Sequence, residues 1–425
     1  MTGSAFMQDL RRLRKEDMLS RAALQNLQMI RLSRLLEYAV HHSAYYKRFR
    51  DFQSDDPVRF LKRFPILEKS TLRENIDAIV TKDKKNLIRQ NSSGSSGFQT
   101  TVYFDKGEQS FQRAQQIRWW EWAGYEIGRP ILQTGITPNR GLVKSIKDRL
   151  FRTYYLPAFA HTEEEVFRAL EWAASQKTTP VLAGYASSLY VLAEIARTHR
   201  IDARFKTAIS WGDKLFDHYR TSIESLFHTR VHETYASSEG FMIAAQKDLP
   251  YMYIMTPDVY LEIVDDEGNE VPDGEMGHVI VTKLNNYSMP MIRYRIGDLA
   301  VKLPESEYPE SRELNYPLLK RVVGRDTDII KTRSGKFMVV HSFTGIIEHY
   351  PQIRQYTVIQ RTLDGIEIQY IPDKEFHPSI LHKIENTIRD HLKESDFIIT
   401  FKRVDYIPAS PSGKPQIIQS YLENI

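Results

Sequence analysis

Between residues 131 and 235, short apolar runs alternate with amphipathic segments, and nothing else in the chain limits the fold as tightly. ILQTGI (131–136), VLAGY (181–185), TAIS (207–210) and RVHETY (230–235) have the length and composition of strands. EEEVFRALEWAAS and SSLYVLAEIARTH, between them, carry apolar residues at helical spacing. Strands that alternate with helices predict crossover connections, and so an α/β fold with a largely parallel sheet. The pattern changes near residue 256. DVYLEIVD and HVIVTKL flank the turn-rich EGNEVPDGE and read as antiparallel strands. Past residue 324, IRQYTVIQ, IEIQYIP, a helix over 378–393 and DFIITFKRVD predict a small α+β unit. The expected architecture is a large N-terminal domain, 1–323, with mainly parallel sheets plus an antiparallel part. A small mobile α+β C-terminal domain, 324–425, follows it, hinged at 324–328. Upstream, residues 20–50 read as helix with Leu32, Leu35, Leu36, Ala39 and Val40 as the buried stripe. VYF (102–104) reads as a strand, and a long helix passes through Trp119, Trp120 and Trp122.

Composition narrows the function. A net charge of +4 over 425 residues excludes a strongly basic nucleic-acid coat. The absence of cysteine excludes disulfides, thiolate metal sites and a cysteine nucleophile. No stretch approaches the roughly 18 apolar residues of a membrane span. The N-terminal MTGSAFMQDLRRLRKED has charges with no apolar run behind them, so no secretory signal and a cytoplasmic location are expected. His161, His232 and His341 have no metal-ligand spacing.

Five segments carry polar chemistry. Asn91 to Gly97 packs four serines and two glycines into seven residues, so its backbone N–H groups and hydroxyls can cradle phosphate; as a flexible turn it would look the same. Tyr235 to Glu239, after a strand-like run, offers an aromatic face, hydroxyls and a carboxylate able to hold Mg2+; the alternative is a strand–helix turn with serine as N-cap. Asp298 in YRIGD reads as a carboxylate in a tight glycine turn, suited to ribose hydroxyls or to an ordinary β-turn. Gly324 to Asp328 suits a hinge or a solvated linker. Lys414 in PASPSGKPQ is either an exposed surface lysine or a mobile cation for a developing anion. A basic stretch over 140–152, with Arg140, Lys144, Lys147, Arg149 and Arg152, is a solvated helix face or an anion-binding surface.

Taken in order, these five segments resemble the adenylate-forming superfamily of acyl-coenzyme A synthetases, peptide synthetase adenylation domains and luciferases. LQNLQMIRLSRLLEYAVHHSAYYKRFR, followed by FPILEKSTLREN, is similar to the N-terminal region of the phenylacetate–coenzyme A ligase family, a pattern that capsular polysaccharide biosynthesis proteins share. The resemblance spans about residues 20 to 420.

It implies a role for each matching position. Ser92, Ser93, Gly94, Ser95, Ser96 and Gly97 would wrap the β- and γ-phosphates of ATP. Phe98-Gln99 stand where the family often has Lys-Pro, so a phosphate-contacting cation is missing there. Tyr235 would stack on adenine, Ala236 replaces a frequent glycine, Ser237 and Ser238 would flank the α-phosphate, and Glu239 would hold Mg2+. Trp211, Gly212 and Asp213 belong to a segment whose backbone borders adenine and the acyl group, with Trp211 shaping the acyl pocket. Asp298 would bind ribose, Arg325 opens the hinge motif, and Lys414 would be the catalytic lysine. Thr327 stands where the first of two hinge acids is usual, followed by Asp328. The implied reaction is ATP-dependent activation of a carboxylic acid as acyl-adenylate, then transfer to a thiol, most simply coenzyme A. Transfer to a carrier protein or an amine, and a degenerate ligand-binding member without catalysis, are the competing readings.

Overall fold

The structure, a computed structural model, describes residues 3–52, 54–91, 100–135, 152–157, 163–325, 329–334, 337–339, 343, 346–347, 349–350, 352–392, 394, 396–408 and 417–422. The chain divides into two compact units, one taking in nearly everything up to Val322 and the other Val323–Ile425 together with Gly297–Leu299.

The first unit opens with helices α1 (Gly3–Glu16), α2 (Arg21–His42), α3 (Pro57–Leu61), α4 (Lys69–Glu74) and α5 (Ile76–Ile79). Ser20 caps α2 by accepting the Ala23 N–H at 3.3 Å. The expected stripe Leu32, Leu35, Leu36, Ala39 and Val40 is buried. The helix is shorter than the 20–50 expected. It ends at Ser43, whose backbone is extended, and residues 47–52 form a separate 3-10 turn. Strands β1 (Ile88–Asn91) and β2 (Thr101–Phe104) pair antiparallel, and β2 leads into α6 (Lys106–Trp122). A reciprocal cap starts α6: Asp105 accepts the Glu108 N–H and Glu108 accepts the Asp105 N–H, both at 2.8 Å.

The main sheet follows. Its parallel part consists of β3 (Ile131–Gly135), β4 (Thr153–Pro157), β5 (Val181–Tyr185), β6 (Ala208–Trp211) and β7 (Val231–Ala236), with α7 (Glu163–Ala174), α8 (Ala186–Thr198) and α9 (Asp217–Phe227) among them. Leu132, Leu182, Ala208 and Val231 pack against these helices on one face. Ile131, Val181, Ala183 and Ile209 pack with Trp120 in a separate cluster. Burial on both faces is why these strands read as continuous apolar runs.

The expected antiparallel part is continuous with the parallel one in a single sheet. β8 (Met242–Gln246) runs antiparallel to β7, and β9 (Met252–Ile254) antiparallel to β8. β10 (Val259–Val264), β11 (Met276–Lys283), β12 (Tyr294–Lys302) and β13 (Leu318–Arg325) complete the order β10-β11-β12-β13-β9-β8-β7-β6-β5-β3-β4 among the described residues. The DVYLEIVD and HVIVTKL runs pair antiparallel as expected.

In the second unit, the short strands β14 (Ile329–Lys331) and β15 (Phe337–Val339) pair antiparallel. A four-stranded sheet of β16 (Ile353–Thr362), β17 (Gly365–Pro372), β18 (Ile398–Arg403) and β19 (Ile418–Ser420) carries α10 (Ser379–Leu392). Ile380, Ile384, Ile388 and Leu392 of α10 join Val358, Ile366 and Ile368 in its core.

Asp17, only 3% exposed, fastens the end of α1 to the first unit. It accepts hydrogen bonds from Trp122 Nε1 at 3.0 Å, from Tyr316 Oη at 2.8 Å, and from the Arg118 guanidinium. Asp17→Ala would strand the buried Trp122 and Tyr316 donors and leave the half-buried Arg118 with Glu121 alone among the described carboxylates. Urea denaturation should record a loss of roughly 3–5 kcal/mol; an unchanged midpoint would show that these donors find other acceptors.

Candidate functional site

The turn that ends β7 carries most of the expected nucleotide residues. Tyr235 and Ala236 close the strand, and the chain returns as β8. No helix follows, so serine is not an N-cap here. The turn is tight: Ser237 N–H donates to Phe241 O at 2.9 Å, and Gly240 N–H to Ser237 O at 3.0 Å. Gly240 has φ +84°, and a Cβ there would lie 2.8 Å from Phe104 Cζ, so the position requires glycine.

Glu239, beside that glycine, is 6% exposed. Tyr294 Oη donates to its Oε1 at 3.3 Å and Ser238 Oγ to its Oε2 at 3.3 Å. Gln90 Nε2 holds the Ser238 carbonyl at 2.7 Å. The Tyr294 ring is buried and stacks on Phe241, with centroids 5.7 Å apart and planes 3° apart. Burial, and then the Glu239 carboxylate, push the Tyr294 phenol far above its ordinary range, so it stays a donor. A carboxylate has about four acceptor positions. Two bonds leave room for one hard cation, and Mg2+ typically takes one or two carboxylates together with phosphate oxygens. Glu239 fits that ion.

Sequence reasoning missed what places Tyr294. Arg293 has φ +51°. Its guanidinium is bonded to the fully buried Glu262 at 3.1 and 3.2 Å and to the Phe64 carbonyl at 2.9 Å. Its N–H donates to Thr282 Oγ1 at 2.9 Å. Lys62 also reaches Glu262, at 2.6 Å. The only signal in the sequence is an arginine beside the YRIGD motif.

Asp298 is half-buried and lies within β12, four residues after Tyr294. The expected tight turn is absent. Gly297, at φ +88°, takes up the irregularity inside the strand.

At the end of β6, Trp211 stacks on Trp120, with centroids 5.9 Å apart and planes 6° apart, and packs against the Ile131–Val181–Ile209 cluster. Gly212 has φ +80°, and a Cβ there would be 2.4 Å from the Tyr185 ring. Tyr185 and Trp211 are register partners and so share a face of the sheet. Tyr155 occupies the space beside Gly135, where a Cβ would lie 2.4 Å from its hydroxyl. Burial, then Asp213 and Tyr155, push the Tyr185 phenol up to about 12. Neither tyrosine was singled out from the sequence. The Asp213 side chain is structural. Its carboxylate accepts Ala186 N–H at 2.6 Å, Ser187 N–H at 3.1 Å and the Ser187 hydroxyl. It therefore caps α8, which Tyr185 cannot do.

Two titratable groups lie on β7 just upstream of the turn. Burial pushes His232 down to about 4, and its Nδ1 lies 3.0 Å from Thr207 Oγ1, so the ring is neutral at pH 7. Burial raises Glu233 to about 7 against the pull of Arg220 and Lys214.

Arg325 is the last residue of β13. Ser92, Ser93, Gly94, Ser95, Ser96, Gly97, Phe98, Gln99, Asp326, Thr327, Asp328 and Lys414 lie outside the described residues, as do 140–151, His161 and His341. The structure thus brings together Tyr235, Ala236, Ser237, Ser238 and Glu239, and adds Tyr294.

Comparison with known proteins gives a consistent picture. No family model matches the chain. Protein CapK of Staphylococcus aureus is 24% identical over 368 residues, 84% of this chain and 79% of that protein. A phenylacetate–coenzyme A ligase of Thermus thermophilus is 24% identical over 400 residues, 89% of this chain and 87% of that one. Another, of Pseudomonas putida, is 30% identical over 139 residues, 31% of this chain and 30% of that protein. Among solved structures, 2-hydroxyisobutyryl-CoA ligase in its postadenylation state superposes with a TM-score of 0.74 at 18% identity, covering 96% of this chain and 91% of that one. ATP-bound MatB from Rhodopseudomonas palustris gives 0.54 at 17% identity, covering 80% and 68%. The chain has the fold of these ligases. Among the described residues no helix is long and apolar enough to cross a membrane.

If Asp213 serves α8 through its side chain, Asp213→Ala should cost about 1 kcal/mol of stability, the usual loss on removing a cap. Thermal unfolding should shift by roughly 1–2 °C, with nucleotide affinity within twofold of the parent. Lost nucleotide affinity at an unchanged melting temperature would assign the carboxylate to the ligand.

Proposed function

We propose that the chain is a member of the adenylate-forming superfamily, in the group that holds the phenylacetate–coenzyme A ligases and CapK, and that it activates a small carboxylic acid with ATP and passes the acyl group to coenzyme A. By kind it is an AMP-forming ligase. A carboxylate oxygen of the acid attacks the α-phosphorus of ATP, the bond to the β-phosphate oxygen breaks, and pyrophosphate leaves. The coenzyme A thiol then attacks the acyl carbonyl, loses its proton, and AMP departs. Both steps need anions to be brought together in line, which depends on positioning and electrostatics.

What carries this reading is the buried Glu239 carboxylate, held by Tyr294 and Ser238 at the end of the last parallel strand. Ligands of α/β sheets bind outside the carboxyl ends of the strands, where the strand order reverses. Glu239 would hold Mg2+, whose charge offsets that building on the leaving pyrophosphate. Tyr235 supplies a face for adenine, Ser237 and Ser238 approach the α-phosphate, and Asp298 takes the ribose hydroxyls. The Ser92–Gly97 loop holds the outer phosphates. Lys414 bridges the carboxylate and α-phosphate oxygens during the first step, and the small domain then turns about 325–328 to admit the thiol. Tyr155, Tyr185 and Trp211 line the acid's side of the site and favour a flat or ring-bearing acid.

Pyrophosphate release over a panel of aryl and short aliphatic acids, with and without coenzyme A, tests the reading. Release should depend on the acid, and thioester should appear only with coenzyme A. Release without thioester would point to a carrier-protein or amine acceptor, and no release with any acid would favour a ligand-binding member. Lys414→Ala should slow release roughly a hundredfold or more at nearly unchanged ATP affinity. Full release by that variant would remove Lys414 from the first step.

A further inference from the structure

Lys283 closes β11 with only 3% of its surface exposed. Its ammonium lies 4.7 Å from the centroid of the Phe104 ring and has no hydrogen-bond partner among the described residues. The carboxylates acting on it are those of Glu108 on α6 and Asp258 just before β10, and both are engaged elsewhere. Glu108 accepts the N–H groups of Tyr287 and Ser288 at 2.7 and 2.8 Å. Asp258 accepts from Arg31 at 3.0 Å, Gln115 at 2.8 Å and Asn285 at 3.3 Å. A buried ammonium without acceptors costs stability, so folding alone does not account for it.

The other side of Phe104 leads to the site. Its Cζ lies 2.8 Å from where a Gly240 Cβ would stand, so the ring packs on the backbone next to Glu239. Gln112 of α6 covers the same spot. An ammonium over an aromatic face is attracted by the ring quadrupole, most strongly when water is excluded.

We propose that Lys283 is a positioning residue for the Glu239 turn: its ammonium fixes the Phe104 ring, and the ring holds the Gly240 backbone and with it the direction of the Glu239 carboxylate. This rests on the reading of Glu239 as the group that holds Mg2+. The proposed role acts through Phe104 and requires no contact of Lys283 with nucleotide or metal. Burial brings its amine down to about 8, against the opposing pull of Glu108 and Asp258, while Arg31 faces the cluster from α2 through Asp258. The ammonium is therefore charged at pH 7 and lost above about 8. The folded-state value lies below the ordinary 10.5. The charge thus destabilises the fold below about pH 8, and that cost fades as the pH rises toward 10.5.

The experiment uses the full chain with a non-hydrolysable ATP analogue, titrated by calorimetry with and without Mg2+ at pH 7 and pH 9, alongside thermal melting. In the parent, the gain in affinity from Mg2+ should fall several-fold between pH 7 and pH 9. Lys283→Met should show the weaker gain at both pH values, and it should melt higher than the parent at pH 7, with the difference narrowing as the pH rises. Phe104→Leu keeps the lysine, removes the ring face, and should show the same weak, pH-independent gain; it carries the test if Lys283→Met fails to fold. A Mg2+ gain in these variants that matches the parent at both pH values, with only the melting temperature changed, would overturn the proposal. Glu239→Gln separates the two layers. If it keeps the full Mg2+ gain, Glu239 is not the metal carboxylate and the proposal falls with that reading. If it loses the gain while Lys283→Met keeps it, only the positioning role falls.

Discussion

A carboxylate taken out of water must be met by hydrogen-bond donors, and Glu239 has two, the Tyr294 phenol and the Ser238 hydroxyl. Much of the first unit bears on that contact. Tyr294 begins β12 directly after Arg293, whose left-handed backbone is held by Glu262, by the Phe64 carbonyl and by Thr282. Glu239 sits in a turn that can close only because position 240 is glycine. The phenol stands on β12 and the carboxylate on the β7–β8 turn of the same sheet, so the sheet itself sets their distance.

That sheet changes character where the site lies. Up to β7 the strands run parallel and are buried on both faces; β8 turns back antiparallel. At this change of direction no crossover helix covers the end of β7, and the 236–241 turn takes its place. The same geometry puts Trp211, Gly212 and Tyr185 at the ends of neighbouring parallel strands. The proposed reaction would need a cation-holding carboxylate and an acid-binding wall within reach of one phosphorus atom, and Glu239 and the Tyr185–Trp211 pair are the groups proposed for these roles.

Much of this was legible in the sequence, for reasons that particular residues make clear. VLAGY could be read as a strand because both of its faces are buried, and the stripe Leu32–Leu35–Leu36–Ala39–Val40 because it repeats at the helical period. Tyr235 to Glu239 stood out because its chemistry is contiguous. Pairings across distant segments were not legible. Asp213 caps a helix that begins 27 residues earlier in the chain, and nothing in SWGD announces it. Tyr294 and Glu239 meet only through the sheet. Lys283 stands next to last in HVIVTKL, where a lysine ordinarily marks solvent, yet the fold buries it against Phe104. Asp298 was expected in a turn because Gly-Asp favours turns, but Gly297 takes its positive φ inside β12 instead.

The central claim is that the acid is activated at its own carboxylate oxygen, by attack on the α-phosphorus. The fate of that oxygen tests it most directly. An acid that the enzyme converts to thioester is supplied with both carboxyl oxygens as 18O, and the AMP released is examined by mass spectrometry. The account predicts one 18O atom in each AMP formed and none in pyrophosphate. Unlabelled AMP, or label appearing in inorganic phosphate, would place the attack elsewhere and contradict the assignment of this fold's site to adenylate formation.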